Sequence, residues 1–484
     1  MTEPGDELAE PLWRNDATSL SDAIARRVVS CEEVVAAHLD RADEVEPTHH
    51  AFSWRRARSE VLAEARERDA QLRRGERLGW MHGLPHAIKD LSDVQGLPTS
   101  WGLLPPERAP LAGADSLFVA RIRAAGAVFV GKTNTPELGL GSHTYNTVTP
   151  TTTNALDPTR SAGGSSGGAA VSVALGSVPV ADGSDFMGSL RNPPGWNGVY
   201  GLRPTPGRVP DRDDAALSVP AGVAGPIART VRDLVALDAT MSGPDPRSPF
   251  VRPQVLPPDD RPQLRIGWLS DVVASLPFED GVLATCQATL GAWRGAGAEV
   301  IDVRLPAHGA FDDVEQLWST WLTVRHHLVG GGLAQLLDEQ PQLGLKPEAM
   351  WEVEGYRRLT VSQVDQADRV REGLLQSALT VFDKVDVLAL PTAQVWPFDA
   401  TQAWPREIAG HAMDTYHRWM GVTVLPTLAG LPVLVVPAGR GPQGLAMGLQ
   451  LIGRPGADVQ LLERAAAAER DGVVAAQTLR PDRR

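Results

Sequence analysis

From Ser19 to Val45 apolar residues recur at helical spacing with a break near Ser30, and Ser30 with Glu33 forms a capping-box pattern, so the chain predicts two consecutive helices there. The stretch "RRARSEVLAEARERDAQLRR" is charged along most of its length and predicts a solvated helix. Next come two short apolar strands, "LPHAIKDL" and "AVFVGKT", separated by "DSLFVARIRAAG", a helix with Asp115 as its cap and Gly126 as its stop. "GGAAVSVALGSV" reads as a helix and "VPVADGSD" as a strand running into a turn. Later apolar runs, "LRIGWL", "AEVIDVRL", "VDVLALPT", "LPVLVVPAG" and "LAMGLQLIG", read as strands, with helices over 361–383 and 458–470 between them. Apolar strands alternating with helices predict a single α/β/α domain around one large mixed sheet, mostly of parallel type and covered on both faces. The expected organisation is an extension over 1–18, the domain over 19–475 and a tail over 476–484, with the Pro- and Asp-rich segment 242–262 as a surface excursion.

Length and composition fit this layout: 484 residues with 43% hydrophobic content supply a sizeable core. A net charge of −13 argues against a nucleic-acid partner, which would need clustered Lys and Arg. The acidic start "MTEPGDELAEPLWRND" has no apolar leader pattern, and no run approaches the length of a membrane span, so the expectation is a cytoplasmic protein without a membrane partner. Cys31 and Cys286 are too few for a disulfide framework or a Cys-rich zinc site, and Cys31 sits at a helix start rather than in a nucleophile's setting. No H-E-x-x-H or clustered Cys/His set occurs, so neither a metal nor a cofactor is expected. The thirteen tryptophans read as core before they read as pocket wall.

Lysine is rare, with only Lys89, Lys132, Lys346 and Lys384 among 46 basic residues. A lysine kept in an apolar setting is therefore informative, because a desolvated Lys can lose its proton near neutral pH and Arg cannot. "GAVFVGKT", Gly126–Thr133, matches the phosphate-loop pattern letter for letter, but its interior Ala-Val-Phe-Val is strand chemistry, so Lys132 is assigned a structural or supporting role. "SAGGSSGGAA", Ser161–Ala170, contains G-x-S-x-G twice, around Ser165 and around Ser166. A nucleophile elbow would follow a strand, whereas "TTTNALDPTRSA" upstream is polar and turn-like. On the residues alone, a Ser-His-Asp esterase of α/β-hydrolase type drawing on His326, His327, His411 or His417 stays open, as does a plain linker.

The block "SAGGSSGGAAVSVALG" followed by "VADGSDFMGSLRNPPGWNGVYGLRPTPG" resembles the signature region of the amidase signature family, whose members cleave amides through a Ser-Ser-Lys triad. "GLPHAIKDL", "GAVFVGKTNTPELGLGSHTYN" and "GLPVLVVPAG" with "GLAMGLQLIGRPGADVQLLERAAAAE" are similar to the family's other blocks, in the same order. The resemblance implies Ser189 as the acylated nucleophile, Ser165 as the bridging serine and Lys89 as the base; the two serines are 189 − 165 = 24 positions apart, as in the family. It further implies a cis Gly164–Ser165 peptide and an oxyanion hole from the backbone amides of Phe186, Met187, Gly188 and Ser189. Ser166, Asp185 and Arg191 take supporting roles, Arg191 being structural before it is a substrate contact. The family carries two glycines before the nucleophile where this chain has Met187 and Gly188, which alters the acyl pocket.

The implied activity is hydrolysis of a small-molecule carboxylic amide through an acyl-Ser189 intermediate, released by water, with carbamates or esters as further substrates. The alternative within the family is the A-type component of a glutamine-dependent tRNA amidotransferase, although "SLRNPPGW" differs from the Ser-Ile-Arg-Gln-Pro style of that component. A homodimer is left open.

Overall fold

Runs of β-branched and apolar residues form strands where both faces can be covered, and most such runs in this chain meet in one sheet. The computed structural model describes residues 8–211, 222–248, 263–441 and 443–477. In chain order the strands are β1 (Phe52–Arg55), β2 (Pro85–Lys89), β3 (Val128–Thr133), β4 (Val180–Asp185), β5 (Tyr200–Arg203), β6 (Val223–Ala228) and β7 (Arg265–Leu269). They continue with β8 (Glu299–Val303), β9 (Val387–Pro391), β10 (Glu407–Ile408), β11 (His411–Ala412), β12 (Val433–Arg440) and β13 (Ala446–Ile452). Eight of these described strands build the central sheet in the order β4-β6-β5-β12-β13-β9-β7-β8.

The large mixed sheet agrees with the sequence reading, but its dominant pairing does not. Every neighbour from β4 to β9 is antiparallel, and only β9–β7 and β7–β8 are parallel. Continuous apolar runs suggest parallel strands because both faces are buried. Here β12 and β13 are buried along most of their length yet joined by the few residues between Arg440 and Ala446, and so short a connection permits only an antiparallel pair.

The expected strand–helix–strand unit is present, since β2 and β3 are parallel and flank the helix Leu117–Ala124. It belongs to a separate three-stranded sheet, β1-β3-β2, and not to the large one. The two sheets meet where β2 lies beside β4, and there the backbone amide of Lys89 donates to Asp182 Oδ2 at 3.2 Å. This junction sets the ends of β2 and β4 side by side.

Ser30 closes the expected capping box with Glu33 at the start of the helix Cys31–His49. Asp115 is not the cap assigned to it: Ser116 occupies that position, while Asp115 pairs with Arg123 at 2.6 Å and accepts the Gln95 amide at 2.7 Å. Gly126 ends the helical segment at φ +99°, where a Cβ would lie 2.7 Å from His82 Cα. Cys31 and Cys286 are both buried. Within the stretch expected as an extension, Leu12 and Ala17 are buried in the core, and Ala17 N donates to Asp233 Oδ2 at 2.8 Å. Most of the 242–262 excursion and of the 476–484 tail lies outside the described residues. No helix among the described residues is long and apolar enough to cross a membrane.

Candidate active site

The glycine-serine block forms a loop that runs directly into the helix Gly167–Leu175, every residue of which is buried. Two of its glycines are required by close approach: a Cβ on Gly163, at φ +77°, would sit 2.3 Å from Asn192 Oδ1, and one on Gly164 would sit 2.8 Å from His143 N. The Gly164–Ser165 peptide is cis.

Lys89 ends β2, a strand buried at all five positions, and is itself 1% exposed. Its Nζ donates to Ser165 Oγ at 2.8 Å, Ser166 Oγ at 2.9 Å, Ser184 Oγ at 2.9 Å and Ser184 O at 3.4 Å. Burial pulls the Lys89 ammonium down from 10.5 to about 7, against the opposing pull of Asp182, Asp185 and Asp211. The amine is thus available in its neutral form near neutral pH. A neutral amine has two N–H groups and a lone pair, so one of the surrounding hydroxyls can donate to the nitrogen instead of accepting from it.

Ser189 sits in the turn that follows β4, and Asp185 organises that turn. The Asp185 carboxylate accepts the amides of Gly188 and Leu190, each at 2.9 Å, and is gripped by Arg191 through Nε at 2.9 Å and Nη2 at 2.8 Å. Arg203 adds a contact at 3.3 Å. Burial pushes this carboxyl up, but Arg191 and Arg203 outweigh it and hold Asp185 well below the usual carboxylate range. Arg191 is fully buried and spends its remaining donors on Thr423 O at 2.8 Å, Gln450 Oε1 at 3.1 Å and Thr427 Oγ1 at 2.8 Å.

This bonding changes the expected oxyanion set. Gly188, at φ +93°, serves the turn's geometry, and its amide is committed to Asp185. The amides of Phe186, Met187 and Ser189 have no hydrogen-bond partner among the described residues, so these three are the donors the turn offers. Ser165, Ser184, Ser189, Phe186, Met187 and Arg325 line one cavity of about 160 Å³. Ser165 and Ser189 are brought to the same cavity, but no hydrogen bond joins their hydroxyls; Ser165 meets Lys89 instead.

Sequence reading missed Ser184. It stands two residues from Asp182 on β4 and so shares its face, and both touch Lys89, one at the side chain and one at the backbone. That period of two was the available signal. The histidines of the esterase reading are elsewhere: His326 Nδ1 meets Glu352 Oε2 at 2.9 Å, His417 is buried among aromatic rings, and no histidine lines the cavity among the described residues. No tryptophan lines it either. Lys132 lies in the fully buried β3 and donates to Ser92 O at 2.7 Å and Thr99 Oγ1 at 3.0 Å, a structural role that leaves no phosphate loop.

The family model described as Amidase matches residues 33–462. Acylamidase from Rhodococcus erythropolis is 33% identical, over 94% of this chain and 94% of its own length. The A-type component of glutamyl-tRNA(Gln) amidotransferase from Chloroflexus aurantiacus is 34% identical, over 94% of this chain and 96% of that protein. Among solved structures, a bacterial aryl acylamidase of the amidase signature enzymes is similar with a TM-score of 0.84 at 26% identity, over 94% of this chain and 96% of that one.

Proposed function

The chain belongs to the amidase family and is a hydrolytic amidase, and from that premise we propose that it works alone on small-molecule carboxylic amides through an acyl-Ser189 intermediate. The observation that carries this reading is the buried Lys89 amine at 2.8 Å from Ser165 Oγ. An alcohol is a weak nucleophile until a base takes its proton. In the proposed sequence Ser165 passes its proton to neutral Lys89 and takes one from Ser189, and Ser189 Oγ attacks the amide carbon. The Ser189 hydroxyl closes on Ser165 as the amide enters, a contact of the kind that often tightens only in the substrate complex. The oxyanion forms beside the unpaired amides of the 186–189 turn. Lys89 returns its proton through Ser165 to the departing amine, and water then cleaves the ester. Carbamates and esters suit the same steps.

A fluorophosphonate probe should label wild-type protein at Ser189, found by peptide mass analysis, and should fail on Ser189→Ala; label on any other serine removes the assignment. Ser165→Ala should lower kcat by about 10²–10⁴-fold, as loss of a proton-transfer group does. Ser166→Ala should stay within about tenfold, because Ser166 touches Lys89 but does not line the cavity. The reverse order would move the bridge by one residue.

The 34% identity to an amidotransferase component supports a second reading, a protein that acts only within a complex. Ammonia release from glutamine that appears only when a stoichiometric partner is added would establish it. Turnover of simple amides by the isolated chain would set it aside.

A further inference from the structure

The cavity that holds Ser165 and Ser189 has apolar walls from Leu91, Leu138, Leu140, Met187 and Met420, and among its described lining residues Arg325 alone bears a charge. Arg325 closes the helix Gln316–Arg325, and a π-helical turn, His326–Gly330, follows without a break. Such turns re-aim side chains and recur at functional sites. Its Nε donates to Glu352 Oε1 at 2.5 Å and Tyr416 OH at 3.1 Å, and its Nη2 also donates to Tyr416 OH. Glu352 is further held by Tyr416 OH at 2.6 Å and His326 Nδ1 at 2.9 Å. The guanidinium carbon lies 5.6 Å from the Phe186 ring centre, 5.7 Å from Trp321 and 5.5 Å from Tyr416. The group is therefore fixed in place before any ligand arrives. Its Nη1 makes no hydrogen bond among the described residues.

Resting on the amide-hydrolase reading, we propose that Nη1 of Arg325 sets the substrate class, selecting amides whose acyl group carries a neutral oxygen acceptor. When an acyl group displaces water from an apolar cavity, a donor left without a partner penalises that complex, and sites built on such a donor discriminate strongly against analogues that lack the acceptor. Neutrality follows from the pairing. Glu352 already compensates the Arg325 charge, so a carboxylate would enter an apolar space as an uncompensated anion.

Three primary amides of matching shape test this, because their leaving group is ammonia and only the acyl chain can fill the cavity. Isocaproamide, succinamide and succinamate end in an isopropyl, a carboxamide and a carboxylate group on the same spacer. Binding is measured by calorimetry on Ser189→Ala protein, which keeps Arg325, so the outcome does not depend on turnover. Succinamide should bind about tenfold or more tighter than either of the others, the effect of one charge-assisted hydrogen bond. The preference should fall to within about twofold when Arg325→Met and Glu352→Gln are combined, a pair chosen so that neither charge is left buried alone. Equal or undetectable binding of succinamide and isocaproamide, tightest binding of succinamate, or a preference that survives the double change would each overturn the proposal. The ligand series on Arg325-containing protein decides the matter even if the double variant does not fold. Failure of the wild type to release ammonia from a bound amide would count against the acyl-serine mechanism and not against Arg325.

Discussion

Replacing Lys89 by methionine or by arginine should lower kcat by about 10²–10⁴-fold, the usual contribution of a general base. Methionine fills a similar volume without a titratable nitrogen, and arginine keeps the charge but has almost no neutral form in the working pH range. The wild-type kcat/KM should rise with pH through about 7, because deprotonation of the buried ammonium produces the form proposed to accept the Ser165 proton. That rising limb should be missing from both variants. The sign carries over to stability. Between about 7 and 10.5 the folded protein has released the Lys89 proton while the unfolded chain still holds it, so this group's contribution to stability grows as the pH rises, and Lys89→Met removes that part of the slope. Stopped assays across the pH range and denaturant titrations at two pH values read both effects. A variant that keeps more than about a tenth of the wild-type rate would exclude Lys89 as the base.

The second large effect belongs to Asp185→Ala, which should lower stability by about 3–5 kcal/mol, the cost of stranding buried charge. Arg191 and Arg203 are both fully buried, and the alanine removes the carboxylate they share while the Gly188 and Leu190 amides lose their acceptor. Asp185→Asn keeps an oxygen acceptor and should recover part of the loss. The denaturant midpoint measures this, and fluorophosphonate labelling of whatever protein folds reports whether the turn still presents Ser189. An Asp185→Ala midpoint equal to that of the wild type would mean that the turn is held by other contacts.

What was legible in the sequence is what local chemistry decides. The Ser30 capping box, the helix after the glycine-serine block and the strand carrying Lys89 all follow from near neighbours, and the meeting of Lys89 with Ser165 followed from the family resemblance. Strand direction was only partly local: the short link between β12 and β13 shows that these two pair antiparallel, but nothing in either run shows that β12 also takes β5 and β13 also takes β9. β1 and β5 are only four residues each and offer too short a period to be seen. The amide of Gly188 looked available because its occupant, the Asp185 carboxylate, is placed by two arginines, one of them on another strand. Arg325 stands far along the chain from Ser189, in a helix whose charge pattern is ordinary until Glu352 and Tyr416 fold against it. Asp115 was assigned a cap on its type alone, and an ion pair claimed it instead.

The anchoring of Arg191 also bears on how the protein is made. Its partners Thr423, Thr427 and Gln450 follow it by 232, 236 and 259 residues. At ordinary elongation rates of 5–20 residues per second, roughly ten to fifty seconds separate translation of the serine turn from translation of the segment that locks it. During that interval β5 also lacks its neighbour β12, so the sheet cannot close around the turn. A nascent or prematurely terminated chain therefore carries every serine and the lysine of the candidate site without the contacts that Thr423, Thr427 and Gln450 give Arg191.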